Sequence, residues 1–109
     1  MIMDWDRVLV DLGDLYVGQV VTQCFKYIGT EGINILSIDS GCKLCTSVDW
    51  NPKTHELCFK YTAQPIPKHI SEELGRNFFM LNKEITVAYH VLGREPEVVI
   101  LRFIGTVKQ

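Results

Sequence analysis

The sequence predicts an all-β sandwich of about seven strands with one short helical insertion. Three observations carry that prediction. Apolar residues recur at every second position in several short runs, the period of a strand with one buried face. Gly, Pro, Asn and Asp gather between those runs and punctuate them as turns. One stretch alone, residues 67–75, opens on proline, sets Ile70 and Leu74 four apart and ends on glycine. A chain of 109 residues has the size of one domain, so residues 1–109 are read as a single unit with an insertion at residues 65–81.

Residues 4–11 carry Val8, Leu9 and Val10 and read as a first edge strand, stopped by turn chemistry at Leu12-Gly13-Asp14. Residues 19–28 alternate, with Val21, Phe25 and Tyr27 on one face and Thr22, Cys24 and Lys26 on the other, while Gln23 falls on the apolar face. Gly29-Thr30-Glu31-Gly32 turns the chain into a third strand built on Ile33, Ile35, Leu36 and Ile38. Thr46, Val48 and Trp50 alternate with Ser47 and Asp49 in a fourth, with Trp50 assigned to the core. After the turn Asn51-Pro52-Lys53-Thr54, a fifth strand points Leu57, Phe59 and Tyr61 inward and Cys58 and Lys60 outward.

Two prolines in Gln64-Pro65-Ile66-Pro67 withdraw ladder donors, so the chain leaves the sheets there and makes two helical turns at most. Residues 84–91 then point Ile85, Val87, Tyr89 and Val91 inward, and a hairpin through residues 93–96 delivers the last strand, 97–107. That strand is apolar on both faces: Val99, Leu101 and Phe103 on one, Val98, Ile100 and Ile104 on the other. Such a strand is either covered by a loop or offered to another chain. Val98, Ile100 and Ile104 are therefore interface candidates, together with Val8 and Val10 of the first strand and Trp5 as an exposed anchor.

Charge and hydropathy exclude some partners. Eleven basic residues against thirteen acidic ones, a net charge of −2, give no footprint for a phosphate backbone, and no nucleic-acid partner is expected. No apolar run approaches the roughly 20 residues that span a bilayer, so no membrane partner is expected either. Asp4 and Asp6 stand where a secretory signal would be basic, which predicts synthesis in the cytoplasm without a signal peptide. Asp4, Asp6, Asp11 and Asp14 read as charges that protect a strand edge.

The four cysteines leave several readings open. Cys42 and Cys45 form a C-x-x-C between two strands, where the helix that would lower a redox thiol's pKa is missing from the pattern. As packing residues they fill the corner at which one strand gives way to the next. As metal ligands they need a second pair, and Cys24 with Cys58 supplies one only if their strands are neighbours in register. Cys24 and Cys58, both on outward faces, are also candidate thiols for cross-links between chains. His55, His69 and His90 are dispersed, and no catalytic residue, cofactor or small-molecule substrate is expected.

The order of motifs resembles a known family. Val10-Asp11-Leu12-Gly13-Asp14-Leu15-Tyr16-Val17-Gly18, then Phe25-Lys26-Tyr27, Ile35-Leu36-Ser37-Ile38, the cysteine motif followed by Thr46, and Gly105-Thr106-Val107 resemble an uncharacterised bacterial family. Its members are short Ig-like domains marked by a Ser-Cys-Gly-Cys-Thr motif and similar to hydin-type and major-sperm-protein-type sandwiches. This chain has two residues between its cysteines where the family has one. The resemblance implies a stand-alone Ig-like copy encoded by a bacteriophage: a non-enzymatic structural or decoration protein of the virion, in capsid, neck or tail. Its partners would be other virion chains or copies of itself. The alternatives are a small metal-binding or thiol-redox protein using Cys42 and Cys45, and a cytoplasmic protein-binding domain.

Overall fold

A computed structural model describes residues 4–42 and 44–109. Among the described residues seven strands follow one another: β1 (Leu9–Tyr16), β2 (Val20–Lys26), β3 (Ile33–Asp39), β4 (Thr46–Asn51), β5 (Glu56–Thr62), β6 (Phe78–Val91) and β7 (Glu97–Lys108). They form a four-stranded sheet, β1-β7-β6-β3, and a three-stranded sheet, β2-β5-β4. All pairings are antiparallel except β1 with β7, which run parallel. This division of strands between two facing sheets is that of an Ig-like sandwich.

The core is what the alternation demands. Phe25, Leu57, Phe59 and Tyr61 of the smaller sheet face Leu81, Ile85, Val87, Leu101 and Phe103 of the larger, and all are buried. Aromatic rings join the layers, with Phe59 stacked on Phe103 at 4.4 Å between centroids. The segment between β3 and β4 crosses from one sheet to the other, so the Cys42 and Cys45 corner is the hinge its sequence suggests.

Two boundaries differ from the sequence reading. β1 begins at Leu9 and continues through Leu12-Gly13-Asp14 to Tyr16, so that tripeptide is no strand end. The Asp11 carboxylate accepts a bond from Gly13 N–H at 2.8 Å and Gly13 takes φ +71°, which turns the local kink into a bulge within the ladder. Second, the insertion ends sooner than residue 81: Phe78–Val91 is one strand of 14 residues. Lys83 interrupts its apolar phase between the buried Leu81 and Ile85, which hides the strand's first half from a search for alternation. The helical insertion is one short π-helical turn, His69–Glu73, within the two turns at most that its sequence allows, and it stops before Gly75 at φ +64°.

β3 also carries a bulge, between Ile35 and Ser37. It lets Ile35 and Ile38, three apart, both pack on the core, and it leaves Leu36 52% exposed beside Ser37.

Candidate functional site

The outer face of the larger sheet is built by β6 and β7, whose inward positions are buried and whose alternate positions therefore face solvent. Ala88 lies opposite Val98 and Thr86 opposite Ile100, so two apolar side chains sit among small neighbours. Val98 is 66% exposed and Ile100 42%. Beyond them an ion pair between Arg102 and Glu84 (3.3 Å) closes the patch, and Ile104 past that pair is half-buried. Towards the turn end of the same sheet is a shallow apolar groove of about 240 Å³ lined by Ile33, Asn34, His90 and Leu92.

The edge of β7 beside this patch is open. Its ladder with β1 starts at Leu9 opposite Arg102, so among the described residues 97–101 are paired with β6 alone. The chain that precedes β1 turns to the other sheet instead. Asp6 N–H donates to the Lys26 carbonyl at 2.8 Å, Ile28 N–H donates to the Asp4 carbonyl, and Trp5 bridges to Tyr27.

This detour corrects two of the interface candidates. Trp5 is 2% exposed, held edge-on against Tyr27, Trp50 and Tyr89, and is part of the core. Val10 is likewise buried, opposite Phe103, while Val8 remains 40% exposed. The four acids do not act together as an edge screen. Asp4 accepts from Tyr89 OH at 2.7 Å and from Arg94 at 2.9 Å, Asp6 accepts from Lys26 N–H, and Asp14 pairs with Lys108. Burial opposes the Asp4 charge, but the bonds from Tyr89 and Arg94 outweigh it and hold the carboxyl below its ordinary value. Tyr89 is pushed well up, first by burial and then by the two carboxylates, Asp4 and Glu97, that lie within hydrogen-bond distance of its hydroxyl as acceptors.

The cysteines fall into two separate pairs. Cys42 and Cys45 are bonded within the corner, where Cys45 is buried and Leu44, between them, is 98% exposed. No helix follows them, so the dipole that activates a C-x-x-C thiol is absent from this corner. Cys24 and Cys58 lie directly opposite each other on β2 and β5 and are bonded across the ladder. Their outward placement agrees with the sequence reading, but within this chain each is the other's partner rather than a free thiol for cross-linking. Nor do the four cysteines form one zinc site, because each pair closes on itself.

Glu56 is the residue that sequence reasoning missed here. Two positions before Cys58, it shares the outer face of β5, and its carboxylate and both sulfurs lie within 4.8 Å of one another. Alternation alone places Glu56 and Cys58 together; only the register of β2 adds Cys24. Asp49 of β4 stands opposite Cys58 on the other side and lines, with Cys58 and Lys60, a groove of about 280 Å³.

Set against family models, curated proteins and solved structures, the chain matches none of them.

Proposed function

We propose that the chain is a non-enzymatic assembly module that binds other protein chains through the outer face of its larger sheet. The observation that carries this is the coincidence of exposed Val98 and Ile100 with the open edge of β7 at residues 97–101. An extended segment of a partner can add to that edge through main-chain hydrogen bonds and lay apolar side chains on Val98 and Ile100. Leu36, exposed by the β3 bulge, and the groove at Ile33 and Leu92 widen the apolar surface on the same sheet. Ile104, half-buried behind the Arg102–Glu84 pair, belongs to the margin of the patch.

The setting we propose is a bacteriophage particle, with the chain as a structural or decoration component of capsid, neck or tail. The sequence resemblance to stand-alone Ig-like domains supports this setting. The test is a pair of sedimentation measurements on wild type and on Val98→Lys/Ile100→Glu, first alone and then mixed with assembled particles from the same source. Wild type is expected to self-associate or to sediment with particles, and the variant to stay monomeric and unbound while its circular dichroism is unchanged. A wild type that is strictly monomeric and does not sediment with particles overturns the proposal.

A further inference from the structure

The outer face of the smaller sheet carries chemistry that an assembly surface does not need. Cys24 and Cys58 are ladder partners, both half-buried and reachable from solvent, and Glu56 brings a carboxylate to within 4.8 Å of both sulfurs. Among the described residues that carboxylate makes no hydrogen bond or ion pair of its own, although Lys26 lies directly opposite it in the ladder. We propose that the Cys24–Cys58 pair is a redox-gated zinc site: closed to metal as the disulfide, and a Cys₂Glu site when reduced.

The geometry favours it on both sides of the switch. The Cα atoms of Cys24 and Cys58 stand 4.0 Å apart across the ladder, so their side chains leave the sheet close together and are joined as a disulfide. With the sulfur bond broken, both thiolates still point to the same side of the sheet. A zinc ion about 2.3 Å from each sulfur and about 2 Å from a carboxylate oxygen fits between such donors. Two thiolates with one carboxylate form a mixed donor set that suits zinc, a borderline-soft ion, better than Mg²⁺ or Ca²⁺, which take oxygen ligands. The fourth tetrahedral position faces solvent and belongs to water.

The steps balance as follows. A dithiol reductant gives two electrons and two protons to the Cys24–Cys58 disulfide, breaking the Sγ–Sγ bond and becoming a disulfide itself. Zinc then displaces the two thiol protons to solvent and takes both thiolates and the Glu56 carboxylate. Three negative ligands against two positive charges leave the site at −1, beside Lys26 and Lys60 on the same sheet face. The corner pair Cys42–Cys45 takes no part, since it lies in the turn between β3 and β4, and Cys45 is buried with its sulfur 3.7 Å from the Thr46 hydroxyl.

The experiment uses the full chain, reduced with a phosphine that is then removed under anaerobic conditions, and titrated with Co²⁺ and then Zn²⁺. One cobalt per chain is expected, with thiolate-to-cobalt charge-transfer absorption that zinc abolishes; the oxidised chain should show neither. Cys42→Ala/Cys45→Ala should bind as wild type does. Glu56→Gln should weaken binding by at least the roughly tenfold to hundredfold lost when an outer partner of a metal ligand is removed. Cys24→Ser/Cys58→Ser should not bind, and the oxidised wild type supplies the same control should that variant fail to fold. The proposal is overturned if oxidised and reduced chains bind equally, if binding follows Cys42 and Cys45, or if a reduced chain of native circular dichroism binds no metal.

Discussion

Asp4 is the residue on which the N-terminal segment is moored. It joins Tyr89 and Arg94, 85 and 90 positions away, and its side chain is only 9% exposed. Asn keeps one acceptor oxygen but loses the charge that strengthens the bonds from Tyr89 and Arg94, so Asp4→Asn should cost about 1–2 kcal/mol at neutral pH, read from urea midpoints. The pH dependence has a definite sign. A carboxyl whose folded pKa lies below its ordinary 3.8 contributes stability that is complete above that value and is lost as pH falls through the folded pKa. Wild type should therefore converge on Asp4→Asn in acid below pH 3.8, and equal stabilities at neutral pH would show that the mooring is inert. Next to it, Trp5→Ala should cost about 3–5 kcal/mol, the range for a buried Trp, where an exposed anchor would cost almost nothing. Nothing local announces this burial. A tryptophan between two aspartates has no alternating neighbours, and the rings that enclose it come from β4, β6 and Tyr27, the residue just after β2.

Elements were legible in proportion to how cleanly their alternation ran. β5 and the second half of β6 bury every inward residue the sequence names, because each pairs with a strand on both sides and has a uniform apolar phase. β1 was not, since an Asp-x-Gly stop signal serves a turn and a bulge equally, and only the neighbouring strand decides. That neighbour is Gly105 of β7. A Cβ built on it would stand 2.9 Å from the Gly13 carbonyl oxygen and 3.5 Å from Leu12 Cβ, so the bulge depends on a bare backbone opposite. Gly105→Ala should force β1 away at its middle and cost roughly 1–3 kcal/mol. The loss should be local: amide exchange in β1 should quicken while β5, in the other sheet, keeps its protection. Uniform acceleration across both sheets would show that β1 does not open separately.

At the scale of the whole molecule the chain is extended, 53 × 24 × 22 Å, with a radius of gyration of 15.9 Å against about 13 Å for a compact domain of this length. The stagger of the larger sheet is one reason. β3 joins the half of the β6–β7 hairpin nearest its turn, and β1 joins the other half, so neither end of the hairpin is flanked on both sides. A molecule of this shape has less core per residue, which raises the weight of its long cross-link. Cys24–Cys58 closes a loop with a sequence separation of 34, and that loop contains β3 of one sheet and β4 of the other. Restricting so long a loop in the unfolded chain is worth about 3–4 kcal/mol on the chain-entropy account, against less than about 2 kcal/mol for the short loop of Cys42–Cys45. Cys24→Ala/Cys58→Ala should thus lower the unfolding free energy about twice as far as Cys42→Ala/Cys45→Ala. Because the loop spans both sheets, the loss should appear as a single unfolding transition moved to lower denaturant, the same by fluorescence of Trp5 and Trp50 and by backbone circular dichroism. Two separated transitions would mean that the sheets unfold independently and that the disulfide holds only the β2–β5 ladder.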